Sequence, residues 1–246
     1  MALVATLGIL AFTAAVGQGR PRSDLLMKSQ KQQPLLNTYY GQYLVDRSKA
    51  CFRRRVTERY SIATLERLVQ GGQRMSRRAA AAALSLCGDY RSNSALGRAL
   101  HDTDRGVRTL AEDGIRALWC RAGGPEERRT LTRLIDLNRQ QDFAGAVRLA
   151  TRLIGTMPEL AEAWNQRAIA YFSTARWKES VTDCRRALEL NPYHFGAATG
   201  LGQCFLQLGD RSAALVSFRH ALALNPGLEG VRAHVVYLQR GLRRHE

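Results

Sequence analysis

The sequence predicts an all-α chain whose helical hairpins stack into an α-solenoid, and three observations carry the prediction. Pro158, Pro192 and Pro226 stand 34 residues apart, each with a small residue, Ala146, Ser180 or Ala214, at the same distance before it. A fixed period of this length marks an internal repeat. A second period, of 31 residues, aligns Leu65 with Leu96, Arg77 with Arg108, Ala80 with Ala111 and Leu84 with Ile115. Alternation of Val, Ile and Thr is nearly absent, which leaves little room for a sheet. A hairpin of two amphipathic helices cannot bury its faces alone, so such units must stack on their neighbours.

Met1 to Gly19 carries no charged residue and is followed at once by Arg20 and Arg22. As a helix it would reach about 28 Å, marginally the hydrocarbon core of a bilayer. Cations on its C-terminal flank would then leave the rest of the chain in the cytoplasm. A secretory signal instead places its cations before the apolar run, and none stand there, although Ala15-Val16-Gly17 offers small residues for cleavage. Anchor, signal and a tail without a role, including a start-site artefact, all stay open. The favoured location is the cytoplasm, free or tethered by this segment, and export is not excluded.

Residues 20–60 hold ten Lys or Arg against three Asp or Glu, the densest part of a formal charge of +16. Lys49, Arg53, Arg54, Arg55 and Arg59 stand among Tyr39, Tyr40, Tyr43, Phe52 and Tyr60. Two readings compete. In one, the aromatics pack as a cap beneath the first hairpin while the arginines stay solvated. In the other, the cations grip a phosphate backbone while the rings stack bases, or they meet an anionic membrane surface. Residues 61–121 follow as two Ala-rich units of the 31-residue period. Gly123 and Gly124 then end one helix and Pro125, Glu126 and Glu127 open the next. That linker is short, so the two arrays are expected to continue into one superhelix.

Three units fill 127–160, 161–194 and 195–228. The last carries Leu201, Gly202 and Phe205 on its first helix, then Ala214, Phe218, Ala221 and Pro226. Small residues at Gly202, Ala214 and Ala221 let helix backbones approach, and Phe205 and Phe218 fill the space between. The unit before it has Trp164, Ala168, Tyr171, Ser180, Ala187 and Pro192, with Arg167 and Cys184 at positions that are apolar in the last unit. The first keeps Leu134, Leu137, Ala146 and Pro158 in register. From 229 to 246, Val231, Val235, Val236 and Leu238 with Arg240, Arg243 and Arg244 behind them predict a helix that covers the last open face.

These units resemble the tetratricopeptide repeat. The stretch 195–228 matches seven of that pattern's eight positions and departs at Ala198, where the family favours Trp. The run Asp102, Asp104, Val107, Arg108 and Ala111 resembles a HEAT-like repeat, in which Asp closes a turn and a Val-Arg pair opens the second helix. The first resemblance implies a right-handed superhelix whose concave face is lined by the first helix of each unit. Carried over position by position, that face presents Arg128, Leu131, Ile135 and Asn138, then Glu162, Asn165, Gln166, Ile169 and Phe172, then Thr199, Gln203 and Leu206. Asn165, Gln166 and Gln203 are expected to bond an extended backbone, and Ile169, Phe172 and Leu206 to take an apolar side chain. Some members clamp a partner's terminal carboxylate with Lys, Asn and Arg. Leu131, Ile135, Gln166, Gly196 and Gly200 stand at those positions, so this recognition is not expected.

Five cysteines, an odd number without close pairs, argue against a disulfide framework. Cys184, in a core aromatic's place, reads as a small buried hydrophobe. No ligand spacing suits a metal, no motif calls for a cofactor, and the five histidines are scattered among no nucleophile or phosphate-loop motif. The reading is a noncatalytic adaptor or scaffold whose partner is a protein or peptide. Binding of nucleic acid or an anionic membrane through the basic region, and a membrane-tethered assembly factor, are the alternatives.

Overall fold

The computed structural model describes residues 34–242, with the side chain of residue 242 and everything outside that range left aside. Met1 to Gly19, the basic residues up to Lys31, and Arg243 and Arg244 therefore lie outside the described residues. Within them the chain forms thirteen α-helices and a short 3-10 turn, Tyr90–Ser92, and no strand. Helices α1 (Leu35–Asp46), α2 (Lys49–Arg59), α3 (Ile62–Gly71), α4 (Arg74–Cys87), α5 (Asn93–Ala99) and α6 (Arg105–Cys120) build the first half. The second comprises α7 (Pro125–Arg139), α8 (Phe143–Thr156), α9 (Ala161–Ser173), α10 (Trp177–Leu190), α11 (Phe195–Gln207), α12 (Arg211–Leu224) and α13 (Glu229–Leu242).

Helix α4 is the axis of the first half. Its run Ala79 to Leu84 is buried, and the short alanine side chains let α1, α2, α3 and α6 all pack against it. The 31-residue period is matched in burial: Leu65, Leu96, Ala80, Ala111, Leu84 and Ile115 are all fully enclosed. Arg77 forks onto the Asp102 carboxylate at 2.6 and 2.9 Å, and Arg108 donates to the Asp102 carbonyl at 2.8 Å. Arg78 forks onto Asp104 at 2.7 and 2.8 Å, while Asp104 caps α6 by accepting from the Val107 N–H at 3.0 Å. The Arg78 hydrogen bonds, aided by the cap, hold the Asp104 carboxyl down to about 2. Such forks add geometry as well as charge.

In the second half the helices pair as hairpins, α7 with α8, α9 with α10 and α11 with α12, and α13 covers α12. Pro158, Pro192 and Pro226 sit in the tight turns between hairpins. Asp142 and Asp210 cap α8 and α12 through the Gly145 and Ala213 N–H groups, both at 2.8 Å. One packing position is filled by complementary volumes from unit to unit. A Cβ on Gly202 would lie 2.5 Å from the Phe218 ring; the preceding unit has Ala168 with Cys184 there, and the first has Leu134 with Ala150, all buried. The larger the first-helix residue, the smaller its partner, which is why Cys184 stands in an aromatic's place. Arg167 has its own explanation: it forks onto buried Asp183 at 2.7 and 2.9 Å beneath Trp164.

The halves do not simply continue one another at α7. Helix α6 touches α7 and α9 and also meets the second half at the turns leading into α11 and α13. The Trp119 ring stacks on His194 at 4.1 Å and tilts against Phe195 at 5.0 Å. Its indole N–H donates to Asn93 Oδ1 at 2.7 Å, and Asn93 Nδ2 donates to Asn191 Oδ1 at 2.8 Å. Gly97 leaves room for the Tyr193 ring, into which any Cβ would run. Phe195 joins the core of the first half, and Leu224 and Leu228 lean on it. Burying two large aromatics against each other draws the first half across these turns.

Candidate functional site

The inward sides of α7, α9 and α11 border a groove of about 680 Å³, closed along one side by Arg116, Trp119 and Cys120 of α6. Its floor is an acid. Glu162 is buried, and its Oε2 accepts from His194 Nε2 at 2.9 Å while Oε1 accepts from Gln166 Nε2 at 2.7 Å and Asn165 Nδ2 at 3.2 Å. His194 Nδ1 accepts the Ala197 N–H at 3.1 Å, which puts the ring proton on the nitrogen facing Glu162. Burial pushes the Glu162 carboxyl up, but the hydrogen bonds from His194, Gln166 and Asn165 outweigh it and leave the carboxyl below its ordinary value.

Above that floor the walls are largely apolar. Ile169 is 41% exposed, Ile135 and Phe172 are half-buried, and Gln203 is exposed. At the rim, Arg116 lies over the Phe195 ring at 4.5 Å and pairs with Glu112, and Arg139 pairs with Asp136. Cys120 is held as the thiol. Burial, and the Glu162 charge after it, push its thiol up to about 11. The site offers a slot for apolar side chains over a polar floor in which Glu162 already takes three hydrogen bonds.

Of the residues assigned to the concave face from sequence, Ile135, Glu162, Asn165, Gln166, Ile169, Phe172, Thr199 and Gln203 line this groove. The others do something else. Leu131 has no exposed surface and belongs to the core between α7, α8 and α9. Leu206 packs into the core beneath α12 and α13, and Arg128 is exposed and donates to the Gly124 carbonyl. Asn138 donates to Gln166 at 2.9 Å. Asn165 and Gln166 are spent on Glu162, so they are not idle donors for a bound backbone. Sequence reasoning missed Trp119, His194, Phe195 and Arg116. Their partners lie far along the chain and outside either period, so no spacing signals them.

The basic region divides in the same way. Lys49, Arg53, Arg54 and Arg59 are exposed along α2, and Arg55 is held by Gln42 and by the Tyr39 ring at 5.8 Å. The rings among them face inward: Tyr40 and Phe52 are buried, Tyr43 stacks on Phe52 at 5.1 Å, and Tyr60 Oη accepts the Leu36 N–H at 3.0 Å. Of the two competing readings, the rings of α1 and α2 follow the first: they close the first core and form no base-stacking platform. Cys184 and Cys204 share one core, where the Cys204 thiol donates to Ser180 Oγ at 3.1 Å. Among the described residues no three His, Cys, Asp or Glu side chains are grouped to hold a metal, and no helix is long and apolar enough to cross a membrane.

Stacked hairpins around a concave groove define a helical-repeat scaffold, and comparison with known proteins specifies the repeat. Residues 161–194 and 196–228 match the tetratricopeptide repeat family, so hairpins α9/α10 and α11/α12 are tetratricopeptide repeats. A TPR repeat-containing protein of Rhizobium etli is 30% identical over 73 residues, 30% of this chain and 36% of its own length. The Hsp70-Hsp90 organizing protein of Triticum aestivum is 31% identical over 70 residues, 28% of this chain and 12% of its own. The chain thus spans about a third or less of these relatives. Among solved structures, the TPR2AB-domain:pHSP90-complex of yeast Sti1 aligns over 88% of this chain and 95% of its own, with 18% identity and a TM-score of 0.44. Proteins built on these repeats mediate protein–protein interactions.

Proposed function

We propose that this chain is a noncatalytic adaptor that holds a peptide segment or partner protein in the groove between α7, α9, α11 and the wall of α6. In this reading α7/α8 is a third tetratricopeptide unit and the pairs α3/α4 and α5/α6 are HEAT-like. The observation that carries the proposal is the apolar slot of Ile135, Ile169 and Phe172 over the hydrogen-bonded Glu162. It suits alternate side chains of an extended segment. The relative named for organizing Hsp70 and Hsp90 makes a protein partner the natural class, although the terminal-carboxylate clamp has no residues for it here.

Affinity capture with Ile169→Glu combined with Gln203→Glu tests the reading against Val216→Glu, which changes a residue 67% exposed on α12. The groove variant is expected to lose partners that the control retains. Equal capture by both refutes the groove. A second reading, nucleic-acid binding by the exposed cations of α2, rests on charge alone once the aromatics are buried. It requires an affinity that falls steeply with salt in a gel shift, and a flat response eliminates it.

A further inference from the structure

Helix α13 closes the repeats, and its two faces differ. Val231, Val235 and Leu238 are buried in the core shared with α12. The outward strip consists of Glu229, Arg232, Ala233, Val236, Tyr237 and Arg240. All six are exposed, Tyr237 by 67% and Val236 by 41%. Spacings of three and four residues put them on one side of the helix over three turns. The element that caps a repeat array ordinarily shows solvent a polar surface. Here Ala233, Val236 and Tyr237 form an apolar centre between charged ends.

The order of those residues selects the occupant. When a second α13 is laid antiparallel on the first, about a two-fold axis level with the midpoint between His234 and Val235, every member of the strip finds a match. Ala233 faces Val236 of the other copy, Arg232 faces the Tyr237 ring, and Glu229 faces Arg240. Each match occurs twice, as an interface between identical surfaces requires, and the opposed helix dipoles suit the arrangement. A parallel alignment would instead set Glu229 on Glu229 and each arginine on itself. The Glu229 carboxylate is held loosely within its own chain: Arg232 Nε lies 3.8 Å away, and Arg232 donates to the Pro226 carbonyl at 2.6 Å. We propose that the outer face of α13 is a self-association surface, on which two copies of this chain pair antiparallel through Ala233, Val236 and Tyr237, with Glu229 and Arg240 closing both ends. Six residues a side fall well short of the roughly 20–30 of a standard interface, so the pair forms and parts with concentration. The groove uses none of these six residues, and the pairing does not depend on what the groove holds.

Sedimentation of the full chain tests this. The average mass of the native chain is expected to rise with concentration toward twice that of one chain. Arg240→Glu alone and Glu229→Arg alone should each weaken the association about tenfold, since two facing pairs turn repulsive at once. Mixing the two variants should restore it, because Glu229 of one chain then meets Arg240 of the other and the new Glu meets the new Arg. Recovery in the mixture also shows that both variants are folded. Ile169→Glu combined with Gln203→Glu in the groove should leave the association intact. A native chain that stays monomeric up to high micromolar concentration overturns the proposal and leaves the face to a different partner. Single variants that associate like the native chain, or a mixture that fails to recover, overturn the antiparallel pairing. Loss of association in the groove variant would place the contact there and overturn the role of α13.

Discussion

Replacing Glu162 by Gln removes one charge and, more importantly, one acceptor. The carboxylate takes three hydrogen bonds, from His194, Gln166 and Asn165, whereas an amide of the same shape presents one oxygen and one NH2. If the NH2 replaces Oε2 it faces the His194 N–H; moving that proton to Nδ1 relieves the clash only by abandoning the Ala197 N–H. If it replaces Oε1 it faces two amides, and Gln166 cannot turn over without losing the Asn138 hydrogen bond. Either way a charge-assisted bond is lost and a buried donor orphaned, offset in part by the easier burial of a neutral group. The net cost is about 2–3 kcal/mol at neutral pH. Urea unfolding followed by helical circular dichroism reads it as a lower midpoint. Because the folded carboxyl lies below its ordinary 4.5, its contribution is present above that pH and fades as pH falls through the folded value. The gap between variant and wild type should therefore narrow in acid. A gap under about 0.5 kcal/mol at pH 7, or one that widens on acidification, refutes the account.

Three further outcomes follow from the packing. Gly202→Ala should cost about 1–3 kcal/mol in the native background and little in a Phe218→Cys background, which reproduces the Ala168 and Cys184 pairing of the previous unit; additivity in that double-mutant cycle would reject the idea of compensating volumes. Arg167→Leu, the residue usual in this repeat, should destabilise by about 3–5 kcal/mol by stranding Asp183, and adding Asp183→Leu should recover most of it; a harmless single change would sink the argument. Asp104→Asn keeps the cap on α6 but loses the Arg78 fork. Its cost of about 1–2 kcal/mol, reduced by the partial exposure of Arg78, should hold above pH 4 and vanish as pH falls to about 2. A pH-independent difference would show that the fork does not depress the carboxyl.

Much of the second half is legible in the order of its residues, because period, proline and small residues report on contacts between sequence neighbours. The Gly202 and Phe218 pair is readable, and so, with more care, is Arg167 with Asp183. Leu131 illustrates how transfer by register goes wrong. It stands three residues before Leu134 on the same helix, and an apolar pair at that spacing belongs to a buried stripe. The repeat's position number points to the groove, while the residue's own chemistry points to the core. The rings of α1 and α2 mislead for a related reason, since aromatics beside arginines fit a stacking platform and a closed core equally well until helix faces are known. Trp119 is beyond the reach of either period. Its contacts with His194 and Phe195 cross some 75 residues of chain, and no repeat relates the two.

That contact changes what the groove can do. A tetratricopeptide array alone leaves its concave side open, whereas here α6 forms a wall and Trp119 lies against His194, which in turn holds Glu162. The acid at the floor, the imidazole beneath it and the indole that covers the imidazole form one continuous stack from the groove into the first half. Removing the ring of Trp119 would uncover His194, loosen the donor that keeps Glu162 ionised, and free Asn93 from its constraint on Asn191. The groove proposed to hold a partner and the hold of α6 on the repeats therefore draw on the same few groups, so if a partner sits there the first half takes part in holding it.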